Sequence, residues 1–264
     1  MYIRKTKIIC TLGPSTDNYD TLVGMANAGM NVVRLNMAHG DHAACQNRID
    51  LAKKVRSDLN MPLSIMVDIK GPEVRTGDVP TPIEVNRGDK IIFTGEAIVA
   101  HDNIVPVNYQ EIAKDCFVGG HILLSDGTLD LVVTEINDGL IYCDVLNHGV
   151  IGNHKNMHFP GVHLSIPFIR PKDEKDMDFA IKNDVEFIAC SFVSRAEEVL
   201  SIRKYLDSHG GETIALIAKI ENKEGIDNLD DILKVVDGIM VARGDLGVEI
   251  AIEKLPSIQK NMIK

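Results

Sequence analysis

Closely spaced cysteines are absent from this sequence. Its five cysteines are scattered and form no CxxC motif, which gives no sign of a disulfide framework or a zinc site. A long apolar run is missing as well. No stretch approaches the roughly 18–20 apolar residues that a membrane-spanning helix needs, and the apolar run after the basic N-terminus is too short for a signal peptide. We therefore expect no membrane contact and a location in the reducing cytoplasm.

An excess of basic residues is also missing. The chain of 264 residues has 38 acidic against 28 basic side chains, a net charge of −10, whereas a general nucleic-acid-binding protein needs a basic face. We therefore expect no nucleic-acid partner, although a few basic residues can still form one anion pocket. With 45% hydrophobic residues, the chain is long enough for one large domain or two smaller ones.

Strands and helices alternate in the first part of the chain, residues 1–72. Short β-branched runs are followed by helix signals, and Gly-Pro dipeptides end the first and third strands. The predicted elements are strand Lys7–Leu12, a helix that is capped by Ser15 and ends at Ala28, strand Asn31–Met37, helix His42–Leu59 and strand Ser64–Ile69.

The pattern changes in residues 73–166, which predict an inserted β-rich domain. Short apolar runs such as Leu129–Ile136 and Leu140–Val145 are separated by Asp-Gly and Asn-Asp-Gly turns, which are typical of antiparallel hairpins. The alternation of strands and helices resumes in residues 167–264. The predicted elements are a helix through Lys182, strand Glu186–Phe192, helix Ala196–Ser208, strand Thr213–Ile220, helix Ile226–Val235, strand Gly238–Val241 and helix Ile252–Lys264.

Six β/α units with one all-β insert favour an α/β fold of the (β/α)8 type, a TIM-type barrel, over an open sheet. An eight-stranded barrel needs two more units. We therefore expect this chain to be part of a longer protein and to be inactive in isolation. Barrel enzymes carry their active sites at the carboxyl ends of the strands, which is where the polar residues of this sequence fall.

One charged pair lies at the end of strand Thr213–Ile220. Because side chains alternate along a strand, Lys219 and Glu221 share a face, and a charged pair on a strand suited to burial costs free energy unless it binds something. Asp245 follows in the next unit, where it can join Glu221 in holding a hard cation, and the amides of Gly244–Leu246 are suited to binding a carboxylate. The residues alone are also compatible with a structural explanation, in which Lys219 and Glu221 form a buried ion pair and Asp245 lies on an exposed turn.

Two further clusters lie on earlier strands. Arg34 and Asn36 share a face of the second strand, and the guanidinium is a planar donor fork for phosphate. Asp68 lies near the end of the third strand, and Arg75 follows at the start of the insert, where Lys155 is a weaker signal. The alternatives are a surface-exposed Arg34 and a turn with solvated charges.

Six segments, in this order, resemble the pyruvate kinase family closely. They are KTKIICTLGPST, MNVVRLNMAHG, DIKGPEVRTG, SFVSRAEEV, IAKIENKEGIDN and DGIMVARGDLGVEI. The resemblance runs over nearly the whole chain. It implies a (β/α)8 A domain in two parts, residues 1–72 and 167–264, with a β-rich B domain, residues 73–166, inserted between them.

The resemblance implies phosphoryl transfer from phosphoenolpyruvate to ADP, giving pyruvate and ATP in the last step of glycolysis. Lys219 matches the lysine that neutralises the phosphoryl group in flight, and Arg34 would contact the same group. Glu221 and Asp245 match the protein ligands of Mg²⁺ or Mn²⁺. The other matched positions are Gly244 and Asp245 for the substrate carboxylate, Thr11 and Ser191 near the substrate, and Arg34, Asn36, His39, Arg75 and Lys155 for the nucleotide.

This sequence departs from the family at two places. The potassium site of the family matches Asn36, Asp68 and the carbonyl of Ile69, but a serine of the family is replaced by Ala38, which has no side-chain oxygen. Because Glu73 is typical of potassium-dependent members, we expect a retained but altered K⁺ site. The segment HKNMHFPG is only a loose match to the family pattern KKGVNLPG. The nucleotide-binding role of Lys155 therefore depends on a weaker match than the roles of the other residues.

The resemblance also implies a homotetramer for the full-length protein. Two other functions are compatible with the residues. One is a magnesium-dependent aldolase or lyase that acts on a pyruvate enolate, which would share Glu221 and Asp245 but would not need Lys219 or the β-rich insert. The other is a non-catalytic protein. It would be either a degenerate homologue, against which the intact Lys219, Glu221 and Asp245 argue, or a truncated, catalytically incomplete product that serves as a binding module.

Overall fold

The structure, a computed structural model, describes residues 5–38 and 41–264. The chain divides into two compact units. The first contains the described residues up to Gly71 together with Ile169–Lys219 and Asp230–Met240, and the second contains Pro72–Phe168, Ile220–Leu229 and Val241–Lys264. The boundaries 72/73 and 166/167 between the expected domains stay a prediction.

In chain order, the first elements are β1 (Ile8–Thr11), α1 (Tyr19–Ala28), β2 (Met30–Asn36), α2 (His42–Leu59) and β3 (Ser64–Ile69). There follow β4 (Val74–Arg75), β5 (Ile83–Val85), β6 (Lys90–Thr94), β7 (Ile104–Pro106), α3 (Ile112–Asp115), β8 (His121–Leu124), β9 (Leu129–Asn137), β10 (Leu140–Val145), β11 (Gly149–Ile151) and β12 (Asn156–His158). The last are α4 (Pro171–Lys182), β13 (Phe187–Cys190), α5 (Ala196–Ser208), β14 (Ala215–Ile220), α6 (Lys223–Asp227), α7 (Leu229–Ile232), β15 (Gly238–Val241), α8 (Arg243–Glu249) and α9 (Leu255–Ile263).

The first unit is built on one sheet whose strands lie side by side in chain order, β1-β2-β3-β13-β14-β15. The pairs from β1 to β14 are parallel. A doubly wound open sheet reverses its strand order at a switch point, whereas this order proceeds in one direction, as in a barrel. The expectation of an α/β barrel-type fold is therefore confirmed.

The two faces of this sheet carry different side chains. On β14, Leu216, Ala218 and Ile220 are at most 1% exposed and lie on the face opposite to Lys219. The opposite face has its own apolar cluster. It consists of Val32, Met66 and Ala189, with Phe187, Ile217 and Met240 packed against them. Strands that are buried on both faces explain the continuous apolar runs in the sequence.

The second unit contains the predicted β module. Its main sheet has the order β4-β12-β8-β9-β10-β6-β7, and β11 pairs with β5 in a smaller sheet. Neighbouring strands in these two sheets are antiparallel, except that β6 and β7 are parallel. The unit has a core of its own, in which Phe93, Leu124, Leu131 and Ile141 are fully buried. The short strands β4, β5, β11 and β12 were not predicted.

Several helix boundaries differ from the sequence prediction. Ser15 lies in a 3₁₀ turn, Pro14–Thr16, and the helix instead begins at Tyr19, because the side chain of Asn18 accepts a hydrogen bond from the N–H of Thr21 at 3.2 Å. Its predicted end at Ala28 is confirmed, with Gly29 left-handed at φ 113°.

The predicted helix Ile226–Val235 is wrong. In its place lie the two short helices α6 and α7, and α6 begins after Asn222, whose side chain accepts from the N–H of Gly225 at 2.7 Å. The predicted helix Ile252–Lys264 divides into a 3₁₀ turn, Ile252–Lys254, and α9. A proline at the start of α9 is compatible with a first helical turn, in which its missing N–H is not needed.

No helix within residues 5–38 and 41–264 combines the length and the apolar character needed to cross a membrane. The five cysteines are all free.

Gly71 follows β3 and tests how tightly the first unit is built. Its φ is +65°, and a Cβ added there would lie 2.6 Å from the carbonyl oxygen of Ser191, while its N–H donates to Asp173 at 3.0 Å. We predict that Gly71→Ala lowers the free energy of unfolding by more than about 1 kcal/mol, because alanine is strained at positive φ and meets backbone. Denaturant-induced unfolding measures the change.

The matched control is Gly24→Ala in α1. Gly24 lies inside a helix and an added Cβ would meet no atom within 4 Å. This variant should be as stable as the wild type or more stable by up to about 1 kcal/mol. Equal effects of the two substitutions would contradict the steric explanation.

Candidate active site

Four neighbouring strands of the first unit repeat one arrangement near their carboxyl ends. On each strand an apolar residue of the central cluster is followed, two positions later, by a polar residue on the same face. The pairs are Val32 and Arg34 on β2, Met66 and Asp68 on β3, Ala189 and Ser191 at the end of β13, and Ile217 and Lys219 on β14. The polar side chains therefore form a layer directly above the apolar one, as successive layers do in a barrel.

The carboxylate of Asp68 is the centre of this polar layer. Its Oδ2 accepts from Nε of Arg34 at 2.7 Å, and its Oδ1 lies 3.3 Å from Nζ of Lys219. Asp68 is only 2% exposed, so the electrostatic attraction to both cations is weakly screened by water. The structure thus places one buried carboxylate between two basic side chains that are far apart in the sequence.

Two hydroxyl groups complete the network. Nζ of Lys219 donates to Oγ of Ser191 at 2.7 Å, and this hydroxyl lies 2.8 Å from the carbonyl oxygen of Ile69, to which it donates. Nη1 of Arg34 donates to Oγ1 of Thr11 at 2.8 Å. Thr11 and Ser191, which the sequence suggested near the substrate, therefore hold the two basic side chains in fixed positions.

The charges of this cluster favour an anionic ligand. Arg34 and Lys219 together carry two positive charges and Asp68 carries one negative charge, so these three groups leave a surplus of one positive charge. Asp68 offsets much of the cost of burying Lys219, whereas the side chain of Arg34 is 24% exposed. The guanidinium of Arg34 provides a planar fork suited to phosphate oxygens.

Cys190, the residue before Ser191, takes no part in this chemistry. Its side chain is fully buried, and burial raises the pKa of the thiol, an effect to which the nearby charge of Asp68 adds. A buried protonated thiol is inert as a nucleophile. The thiol of Cys190 therefore supplies no nucleophile to this layer.

The expected K⁺ ligands are close together, but protein donors already contact them. Oδ1 of Asn36 accepts from the N–H of Ala38 at 3.0 Å. Both oxygens of Asp68 contact basic side chains, and the carbonyl of Ile69 accepts from Ser191. Carbonyl and carboxylate oxygens fit a hard cation, whereas Ala38 supplies no side-chain oxygen.

The two carboxylates expected to bind a divalent metal lie in the second unit. Glu221 follows β14 and is 1% exposed, and Asp245 lies half-buried in the first turn of α8. No group of three or more His, Cys, Asp or Glu side chains suited to a metal occurs in the described part of the chain. A metal site with only two protein carboxylates, completed by ligand oxygens and water, has fewer protein ligands than such a group of three.

Arg75 and Lys155, expected at the nucleotide, are brought together in the second unit. Arg75 pairs with Asn156 in the β4–β12 ladder, and the backbone of Lys155 forms hydrogen bonds with Thr76. The guanidinium of Arg75 is held by Glu73 through two contacts of 2.8 and 2.9 Å. His39, the remaining predicted nucleotide residue, lies outside the described residues.

Sequence reasoning missed one buried pair of the second unit, His158 on β12 and Glu249 on α8. Nδ1 of His158 lies 3.4 Å from Oε1 of Glu249, and both side chains are largely buried. The only available signal was the poor match of HKNMHFPG to the family pattern, which did not indicate a partner for His158.

A parallel sheet in chain order, with a basic cluster near the carboxyl ends of its strands, makes this chain an α/β barrel-type protein with an anion-binding site as its candidate active site. The barrel domain of pyruvate kinase, as a family model, matches residues 3–264. The chain therefore belongs to the pyruvate kinase family, as the sequence motifs predict.

Individual relatives agree with the family model. The chain is 44% identical over 264 residues to a pyruvate kinase of Clostridium acetobutylicum, covering 99% of this chain and 56% of the relative. It is also 44% identical over 265 residues to a pyruvate kinase of Staphylococcus aureus, covering 99% of this chain and 45% of the relative. The chain thus spans about half the length of the curated relatives it matches.

A solved structure is similar as well. The crystal structure of a pyruvate kinase from Cryptosporidium parvum superimposes with a TM-score of 0.94 at 40% sequence identity, covering 98% of this chain and 55% of that chain. This likeness supports the barrel-type fold described above.

The role of Asp68 leads to a stability prediction. Asp68→Asn removes the buried charge that Arg34 and Lys219 share, and we expect the free energy of unfolding to fall by roughly 3 kcal/mol, because removing one member of a buried charge network is costly. Asp58→Asn is the control, because Asp58 forms an exposed pair with Lys54 at 2.7 Å and such pairs contribute little. Thermal unfolding followed by circular dichroism measures both, and equal midpoints for the two variants would rule out the bridging role.

Proposed function

We propose that the full-length protein transfers the phosphoryl group of phosphoenolpyruvate to ADP, forming pyruvate and ATP. The observation that carries this proposal is the cluster in which Asp68 holds Arg34 and Lys219 side by side. Membership of the pyruvate kinase family supports the choice of substrates.

The two basic side chains have separable tasks in this reaction. During phosphoryl transfer, negative charge is spread over the oxygens of the moving group, so catalysis depends on positioning and electrostatic stabilisation. Arg34 would bind two phosphoryl oxygens through its fork, and Lys219 would supply a compact charge to the same group. The hydroxyls of Thr11 and Ser191 keep both donors in place, which reduces the reorganisation needed when the substrate binds.

A divalent cation is also proposed, on two carboxylates of the second unit. Glu221 and Asp245 would hold Mg²⁺ or Mn²⁺, and their hard oxygen donors fit such an ion. The bound ion would neutralise phosphate charge. Gly244 and Asp245 are proposed to bind the substrate carboxylate through their backbone amides, as the family resemblance implies.

The nucleotide would be bound by the residues that match the family's nucleotide-binding positions. Arg34, Asn36, His39, Arg75 and Lys155 are proposed for this task. The pairing of Arg75 with Glu73 orients its guanidinium. We further propose a cytoplasmic homotetramer, a location that the five free cysteines support.

A coupled assay of ATP formation from phosphoenolpyruvate and ADP tests the function with the full-length protein. Lys219→Gln should lower kcat at least about 10²-fold, because it removes a charge placed at the reacting group, while the Michaelis constant for ADP changes little. Lys114→Gln is the control, since Lys114 is exposed and forms an ion pair with the nearby Glu111. Absence of ATP formation by the wild type in the presence of Mg²⁺ and K⁺ would sink the proposal.

A second experiment concerns the monovalent cation. We propose that K⁺ binds at Asn36, Asp68 and the carbonyl of Ile69, with Ala38 leaving one ligand position without a protein oxygen. Ala38→Ser should then lower the K⁺ concentration for half-maximal activation, because the added hydroxyl supplies the missing oxygen. Ala38→Gly adds no oxygen and should behave as the wild type. A K⁺ dependence that is unchanged in the serine variant would argue against this position for the ion.

A further inference from the structure

His158 is a buried histidine that has no place in the proposed chemistry. It ends β12, is 5% exposed, and its Nδ1 lies 3.4 Å from Oε1 of Glu249 at the end of α8. Both residues belong to the second unit. A buried ionisable pair costs free energy to desolvate, so its presence calls for an explanation beyond simple packing.

The surroundings of His158 favour its protonated form. Burial alone would lower the pKa of the imidazole, but the hydrogen bond and charge of Glu249, together with the charges of Asp245 and Asp126, raise the pKa above its ordinary value. Of these three carboxylates, Glu249 is the one in contact with the ring of His158, and the other two act through their charge. Its other ring nitrogen, Nε2, is buried and has no hydrogen-bond partner in the part of the chain that the structure describes.

A second contact joins the β module to the same helix. Gly127 lies in the turn between β8 and β9, and a Cβ added to it would be 3.1 Å from Cγ1 of Val248 on α8. Ser125, Asp126 and Gly127 all have positive φ, at 50°, 57° and 79°. The turn at Gly127 and the ion pair of His158 are thus two separate contacts of the β module with α8.

We propose that His158 is a positioning residue, which holds α8 against β12 by binding Glu249 and thereby fixes the helical turn that carries Gly244 and Asp245. The part of this inference that concerns metal and substrate rests on the proposed function. The contact itself rests only on the geometry of β12 and α8.

The contact should depend on pH in a defined direction. Because the pKa of His158 is raised in the folded protein, the stabilisation is fully present below the pKa of an unfolded histidine and is lost as the pH rises through the raised value. α8 should therefore be held firmly in mildly acidic solution and more loosely in alkaline solution.

The experiment is hydrogen exchange of the α8 amides in the full-length protein from about pH 5.5 to about pH 9, a range that spans histidine titration, after correction for intrinsic exchange. In the wild type, protection of residues 243–249 should fall by about tenfold as the pH rises, equivalent to the loss of a charged hydrogen bond. His158→Asn can still donate to Glu249 but cannot titrate, so its α8 protection should not change with pH. Glu249→Gln should show weak protection throughout.

The matched control is His121→Asn. His121 is an exposed histidine of the same unit, paired with Asp130 at 2.8 Å, and its replacement should leave α8 exchange as in the wild type. Wild-type protection that is independent of pH, or equal to that of Glu249→Gln, would overturn the proposal.

Mn²⁺ binding, followed through water-proton relaxation, separates this inference from the proposed function. If His158 positions Asp245, Glu249→Gln should weaken Mn²⁺ binding by about tenfold, as loss of a supporting contact typically does. Failure of the wild type to bind Mn²⁺ would count against the proposed function. The exchange data would still show whether the contact of His158 with Glu249 holds α8. Unchanged Mn²⁺ affinity in Glu249→Gln would overturn the link between His158 and Asp245.

Discussion

The candidate site depends on one interaction, in which the buried carboxylate of Asp68 binds both Arg34 and Lys219. Arg34 and Lys219 would repel each other if they were placed together without it, and each would lose its hydration on burial. With Asp68 between them, the three groups keep a single surplus positive charge. The site can therefore be built in advance of the ligand, which avoids a costly rearrangement when an anion arrives.

The apolar layer below the cluster makes this arrangement possible. Val32, Met66, Ala189 and Ile217 pack together, and each strand then presents its polar residue two positions further on. The neighbours are staggered, since Arg34 is in register with Met66 and not with Asp68. A long guanidinium side chain spans that offset, which explains why arginine suits this strand while shorter residues suffice at Asp68 and Ser191.

Local patterns in the sequence predicted much of the fold but not the contacts within the site. Helices α2 and α5 have their predicted bounds because a single amphipathic run defines each one. The start of α1 was wrong because Ser15 and Asn18 are both good caps, and only the structure shows which side chain reaches a backbone N–H. The partners of Asp68 depend on the register of β2, β3 and β14, which no local pattern encodes. His158 and Glu249 were missed for the same reason.

The single negative charge of Asp68 also affects how a monovalent cation and a phosphoryl ligand would influence each other's binding. Its two oxygens are shared by Arg34 and Lys219, and the nearby carbonyl of Ile69 accepts from Ser191. A monovalent cation bound at these oxygens would raise the surplus of this cluster from one positive charge to two, which is unfavourable in a buried setting. A phosphate dianion would remove that surplus. Cation and phosphoryl ligand would therefore each favour the binding of the other, and because such coupling is reciprocal, the altered ligand set at Ala38 would affect the affinity for both.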